Sequence, residues 1–270
     1  MGRHGEGYHN VAESYYGTPA WNCYWSLLDG NGTSIWTDAQ LTPADIVQAQ
    51  TANAFWAHET AVQKIPTPDS FYVSPLTRCL QTANVTWAGV PLPADKPFIP
   101  TVKELLREGI SEHTCDRRSS KSYIEASFPR YVIEPGFAET DQLWTGVTAE
   151  TQSAQDARSH AVLDQIFSDP KTGTYVSITS HSGEIASILR VLGHRMFGLS
   201  TGAVIPVLVK AEKRQMAATS TQPWTASAHC ITPPVSSVSG GSCVCQGGAA
   251  PVTTTLPGGE PTQQMLALEL

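Results

Sequence analysis

Two short apolar runs, each feeding straight into a stretch of helical period, restrict this chain more than any other feature of its sequence. Phe71-Tyr72-Val73 is followed by Ser74-Pro75, a cap-then-proline start, and a helix is predicted over Leu76 to Ala83. Tyr175 to Thr179 reads as a buried strand, after which Ile185, Ile188, Leu189 and Leu192 recur at helical spacing until Gly193 stops the helix. Thr42-Pro43 with Asp45 in the first turn opens another helix running to His58, and Ser153 to Phe167 carries Val162, Leu163, Ile166 and Phe167 on one side. Ala203 to Val209 adds a further strand-like run. Strands alternating with helices need cover on both faces of the sheet, so the expected class is α/β: a three-layer α/β/α sandwich around a mostly parallel central sheet.

Two stretches fall outside that alternation. Trp21 to Thr33 is rich in aromatic, Asn and Gly residues without a sustained period, which predicts an ordered loop with turns at Asp29-Gly30 and Asn31-Gly32. From Ala217 to Pro261 the composition shifts to Ser, Thr, Pro, Gly and Ala, too poor in large apolar side chains to bury much surface. The expected organisation is one domain over 1–216 and an extended, partly disordered tail over 217–270. No internal repeat is visible.

Composition narrows the partners. Hydrophobic residues make up 41% and charged residues 15%, the balance of a folded chain whose surface leans on uncharged polar groups. The net charge of -7 is spread singly, so no continuous basic face exists for a phosphate backbone, and nucleic acid is excluded as a partner. No run approaches the roughly 20 apolar residues that span a bilayer, so no membrane partner is expected. The opening residues hold no apolar signal core, so the chain as given is expected to be cytoplasmic, with secretion the alternative if an upstream segment precedes it. The sequons Asn31-Gly32-Thr33 and Asn84-Val85-Thr86, with the cluster Cys230, Cys243 and Cys245, would suit an exported protein. Among the six cysteines none has the paired spacing of a zinc finger. His113 and Cys115, even with His58 or His160 brought near, lack a second ligand pair, so neither metal nor cofactor is expected.

The residues able to carry chemistry form an ordered set. Arg3-His4-Gly5 opens the chain with His9-Asn10 just after it; Arg78 lies in the first turns of the helix after Ser74-Pro75; Glu108 follows Leu105-Leu106-Arg107; His181-Ser182-Gly183 ends the strand at Thr179. Singly, Arg-His-Gly is a surface turn, His181 a satisfied buried histidine, Arg78 and Glu108 solvated side chains, and Trp21, Trp25 and Trp36 are core or pocket wall. Together they resemble the signature of the histidine phosphatase superfamily, and Arg3 to Asn10, Ser74 to Thr82 and His113 to Ser120 resemble its fungal phosphoglycerate-mutase-like branch. The resemblance covers Arg3 to Lys210.

That resemblance implies a role for each position. His4 is the nucleophile that becomes phosphorylated; Arg3, Arg78 and His181 hold the phosphoryl group; Glu108 protonates the leaving oxygen, with Glu104 as its nearest rival. Asn10, Ser182, Arg117 and Arg118 are expected to bind substrate. The residue types suit the reaction, because a phosphoryl group in flight spreads negative charge over its oxygens and needs fixed positive forks, which arginine supplies bidentately. A nucleophilic histidine needs one ring nitrogen free, so the other should donate to a backbone carbonyl. Members of the family place an apolar strand ahead of the Arg-His-Gly motif, whereas only Met1 and Gly2 precede Arg3 here, so the first central strand is expected to be missing. The expected activity is a phosphomonoesterase acting on a small phosphorylated metabolite through phosphohistidine. The alternatives are a mutase that returns the phosphoryl group to its substrate and a catalytically silent binding protein.

Overall fold

Five parallel strands build one sheet in the order β1-β5-β2-β3-β4, and they run Gly2–Arg3 (β1), Ser70–Val73 (β2), Thr101–Val102 (β3), Val132–Ile133 (β4) and Val176–Ser180 (β5). A computed structural model describes residues 1–212, 221–236 and 241–247. The sheet is covered on both faces by helices: α3 (Pro43–His58), α4 (Thr77–Trp87) and α5 (Lys121–Ser127) on one, α6 (Gln152–Ser168) and α7 (Ser182–Val191) on the other. Strand alternation decides which residue meets which layer. Tyr72 and Ile178 point toward α6 and α7, packing with Val162, Leu163, Ile166 and Ile188. Phe71 and Val73 point the other way, toward Leu80, Ala83 and Ile124 and toward Trp87 and Val90. This is the three-layer α/β/α sandwich expected from the alternation of apolar runs and helical stretches.

The helix over Pro43–His58 starts after Thr42, as its Thr-Pro opening predicts. The helix after β2 differs from expectation: it begins at Thr77, one residue later than predicted, and Ser74 is not its cap. Asp38, brought in from a distant loop, accepts the Thr77 N–H (2.8 Å) and the Thr77 hydroxyl (2.7 Å), so the free donors of that helix are satisfied by a residue 39 positions away.

The aromatic stretch is also more regular than predicted. Within Trp21 to Thr33, the first three residues end α2 (Thr18–Cys23) and Trp25–Leu27 forms a 3-10 turn, so only the part from Leu28 onward is loop; α1 (Tyr8–Tyr16) precedes α2. Packing explains the difference: Tyr8, Tyr16, Trp21 and Trp36 bury one another in a separate aromatic core, with Tyr16 stacked on Trp25 at 3.9 Å between ring centres. Tertiary burial of this kind rewards helical turns that local period does not announce.

Strand β1 is present as two residues. It is held on both sides, by β5 in parallel register (Gly2 with Thr179, Arg3 with Ser180) and by the stretch after α7, where Val204 bridges Gly2 and Ile205 exchanges backbone bonds with Met1. The expected strand over Ala203 to Val209 reduces to that single bridge, because β1 offers it no longer partner. The proposed domain boundary at 216 lies outside the described residues. Of the segment 217–270, residues 221–236 and 241–247 are described; they form no helix, and disulfides join Cys23 to Cys243 and Cys230 to Cys245.

Candidate active site

The carboxyl ends of β1, β2 and β5 lie side by side, and the chain turns at each of them present a polar residue: His4 after β1, Ser74 after β2, His181 after β5. Open α/β sheets place their ligand sites at this edge. All three residues are buried.

His4 has the geometry of a nucleophile. Its Nδ1 lies 2.5 Å from the Gly5 carbonyl oxygen, which can only accept, so Nδ1 carries the proton and Nε2 keeps its lone pair. Gly5 is fixed in turn by donating its N–H to Thr82 on α4 at 3.0 Å. Burial, then the nearby Arg78 charge, holds the His4 pKa well below the usual imidazole range, which keeps the ring neutral and able to attack.

His181 and Arg78 form one unit. The Arg78 Nε–H donates to His181 Nδ1 at 3.2 Å, so His181 Nε2 carries the proton and donates to Ser74 Oγ at 2.7 Å. The His181 ring centre stands 5.0 Å from that of His4, and burial followed by Arg78 lowers its pKa as well. Arg78, only 1% exposed, donates through Nη1 to the Cys115 carbonyl at 2.7 Å and faces Asp116 at 3.6 Å. These contacts use three of its five N–H groups and leave two for an anion. Arg3 donates through Nη1 to the Leu199 carbonyl at 2.7 Å, while its buried Nε has no acceptor among the described residues. It feels the charges of both Glu108 and Arg78.

Glu108 lies against the first turn of α7. Its carboxylate accepts the N–H groups of Gly183 (3.3 Å) and Glu184 (3.1 Å) and the Ser182 hydroxyl (3.4 Å), besides its own neighbour's N–H from Gly109. The close approach requires Gly183, where any side chain would strike the Glu108 carboxylate. Arg158 of α6 fixes the loop by donating to the carbonyls of Leu105, Arg107 and Glu108. Glu104 is not placed as a rival acid: its carboxylate is engaged by Arg107 and Arg118.

The substrate-binding residues expected from the sequence separate. Asn10 and Ser182 border the site, but Asn10 Oδ1 accepts the Gly7 N–H at 3.0 Å and so secures the start of α1. His9, its neighbour, lies on α1, buried, 5.6 Å from His4 between ring centres, with Nδ1 lacking a partner among the described residues. Arg117 is partly exposed on the wall of a cavity of about 320 Å³, lies over Trp144, and pairs with Asp29 at 2.8 Å. Arg118 departs from the expectation of a substrate contact. Its guanidinium is buried and consumed by Glu104 and by the carbonyls of Ser119, Ala138, Glu139 and Thr140, which leaves no donor for a ligand.

Four residues that matter were not singled out from the sequence. Ser74 orients His181, Thr82 orients Gly5, Asp116 faces Arg78, and Asp38 holds the start of α4. Ser74, Thr82 and Asp116 stood inside the stretches that carry the family resemblance, but Ser74 was read as a helix cap and the other two were given no role; Asp38 stood in no motif. His58 and His160 pair with Glu59 and Asp164 on their own segments, away from His113. His113, Cys115 and Asp116 do present ligand atoms within 4.8 Å of one another, but the last faces Arg78 and burial pushes the Cys115 thiol well above its usual pKa, which disfavours the thiolate a metal needs.

Over residues 25–201 the sequence matches the family profile described as histidine phosphatase superfamily (branch 1). It is 57% identical over 212 residues to a protein of Arthroderma benhamiae named probable phosphoglycerate mutase, an alignment that covers 78% of this chain and 63% of that one. It is 36% identical over 235 residues to phosphomutase-like protein 3 of Candida albicans, covering 87% and 72%, and 34% identical over 227 residues to probable phosphoglycerate mutase PMU1 of Saccharomyces cerevisiae, covering 78% and 77%. The chain thus spans a little under two thirds of the length of the first of these relatives.

Proposed function

The chain belongs to the fungal, phosphoglycerate-mutase-like part of the histidine phosphatase superfamily, and on that premise we propose that it is a phosphomonoesterase that cleaves a small phosphorylated metabolite through a phosphohistidine on His4. The observation that carries this reading is the pairing of a neutral His4, its Nε2 free, with unsatisfied positive or polar donors around it: Arg3 Nε and two N–H groups of Arg78. The three non-bridging oxygens of a phosphoryl group supply the acceptors these donors lack.

In the reaction proposed, the Nε2 lone pair forms the P–N bond while the ester P–O bond breaks, and the leaving oxygen takes a proton from Glu108. Water then attacks the phosphohistidine, Glu108 takes the proton back, and inorganic phosphate departs. Arg3 and Arg78 hold the equatorial oxygens throughout.

A generic aryl phosphate tests this. The protein should release phosphate, and His4→Ala should remove turnover while vanadate still raises the melting temperature, since the anion pocket survives. Equal turnover in both forms rejects the covalent route, and vanadate binding without turnover in the parent supports a silent binding protein. The names of the fungal relatives favour a second reading, a mutase that returns the phosphoryl group to another oxygen of the substrate. It shares the first half-reaction, and interconversion of two phosphoglycerate isomers without phosphate release is its signature.

A further inference from the structure

One motif in the sequence is not absorbed by the site: the sequon at Asn31. It sits on an exposed turn closed by the bridge between Gly30 and Ile35 and by the Asn31 N–H donating to the Ser34 carbonyl at 3.1 Å. Gly32 at φ +90° forms the crest, with open space where a side chain would be, and Thr33 is exposed. Within this turn Asn31 and Thr33 of the sequon are bonded to each other. Asn31 Oδ1 accepts the Thr33 N–H at 3.0 Å, the Thr33 hydroxyl at 2.9 Å and the Ser34 N–H at 2.8 Å, which fixes the amide plane and leaves Nδ2 at its other end. Nδ2 donates one hydrogen to the Tyr16 hydroxyl at 3.0 Å; its second hydrogen has no partner among the described residues.

The other sequon lacks these properties. Asn84 lies inside α4, where the helix forbids such a turn, and its Thr86 is buried with its carbonyl taken by Asn53. A second, independent feature bears on compartment: Cys23–Cys243 and Cys230–Cys245 are disulfides, and such bonds persist where the surroundings are oxidising. Oxidising and glycosylating conditions occur together along the export route.

We propose that Asn31, and not Asn84, carries an N-linked oligosaccharide, and that the chain matures in an oxidising, glycosylating compartment. The co-substrate is an oligosaccharide linked through its anomeric carbon to a polyprenyl pyrophosphate. The Nδ2–carbon bond forms as the carbon–oxygen bond to pyrophosphate breaks; the polyprenyl pyrophosphate leaves, and the amide gives up one proton. Nδ2 keeps its remaining hydrogen for Tyr16, so the folded turn accepts the product unchanged. The proposal stands apart from the phosphatase reading and predicts nothing about turnover.

The test uses the chain isolated from the cells that make it. Peptide N-glycosidase should lower its mass by one oligosaccharide and convert Asn31, and not Asn84, to aspartate in the corresponding peptides. Before reduction, Cys23, Cys230, Cys243 and Cys245 should resist alkylation. Asn31→Gln and Thr33→Ala, made separately so that one variant's misfolding does not decide the matter, should each remove the oligosaccharide, while Asn84→Gln retains it. An unmodified Asn31 peptide, a sugar on Asn84 instead, or freely alkylated thiols at the four cysteines would each overturn the proposal.

Discussion

A carboxylate held by backbone donors at the start of a helix can serve as an acid or can simply brace the turn, and Glu108 is positioned for either. The leaving group separates the two roles. An aryl phosphate with an acidic phenol departs unaided, whereas an alkyl phosphate must expel a basic alkoxide that hardly forms without a proton. In Glu108→Gln one oxygen still accepts the Gly183 or Glu184 N–H, so the brace is largely kept and the proton is lost. Turnover of the alkyl ester should therefore fall about 10²-fold further than that of the aryl ester. Equal slowing of the two esters would make Glu108 a brace. Glu104 would gain nothing from that result, because Arg107 and Arg118 occupy it. His4, Arg3, Arg78, Glu108 and His181 were legible in the sequence because each lies in a short local motif. Ser74, Asp38 and Asp116 were not, because what they do depends on partners far along the chain.

At the scale of elements, the start of α4 decides where Arg78 points. Leu76 precedes the helix and its side chain cannot accept a hydrogen bond, so the Asp38 carboxylate does that work from outside, and it also accepts the Ser119 N–H at 2.9 Å. One buried side chain thereby ties the loop before α3, the start of α4 and the Arg117–Arg118 segment. Asp38→Ala leaves three buried or half-buried donors unpaired, a loss of about 2–4 kcal/mol of stability, read as a lower urea midpoint at unchanged slope. Turnover should fall with it, since Arg78 lies one residue past Thr77. A stable variant with full turnover would show that the helix start holds itself. Local sequence signals, a cap before proline and an apolar face, located α3, α6 and α7 well. They failed at α1 and α2, whose helical turns are fixed by the burial of Tyr8, Tyr16, Trp21 and Trp36 against one another. They failed also at Ala203 to Val209, where strand propensity was present but a partner strand of matching length was not.

Across the whole molecule, a piece of irregular chain from beyond the sandwich joins elements that surround the site. Gln222 exchanges hydrogen bonds with Thr151 and Ser153 at the start of α6, His229 meets Glu112 at 3.2 Å beside the Arg117 segment, and the Cys230 N–H donates to the Cys23 carbonyl of α2 at 2.9 Å. The two disulfides differ in how much chain they enclose, with sequence separations of 220 for Cys23–Cys243 and 15 for Cys230–Cys245. Closing a long loop removes more freedom from the unfolded chain, so the first should stabilise by about 5 kcal/mol and the second by about 3 kcal/mol in the chain-entropy account. The comparison needs paired replacements, because Cys230 Sγ lies 3.7 Å from that of Cys23 and 3.4 Å from that of Cys243, near enough for a lone thiol to find a new partner. Cys23→Ala with Cys243→Ala should lower the melting temperature by roughly 10–15 °C, and Cys230→Ala with Cys245→Ala by less. The residues proposed for the reaction lie at the ends of β1 and β5, on α4 and in the loop carrying Glu108, so kcat on an aryl phosphate should stay within about threefold below the new melting point in both. A first pair whose loss costs under ~2 °C would mean that the segment is not fastened to α2 in solution, and a large fall in kcat without loss of stability would mean that the fastening orders α2 and the aromatic core it packs into instead of the sandwich as a whole.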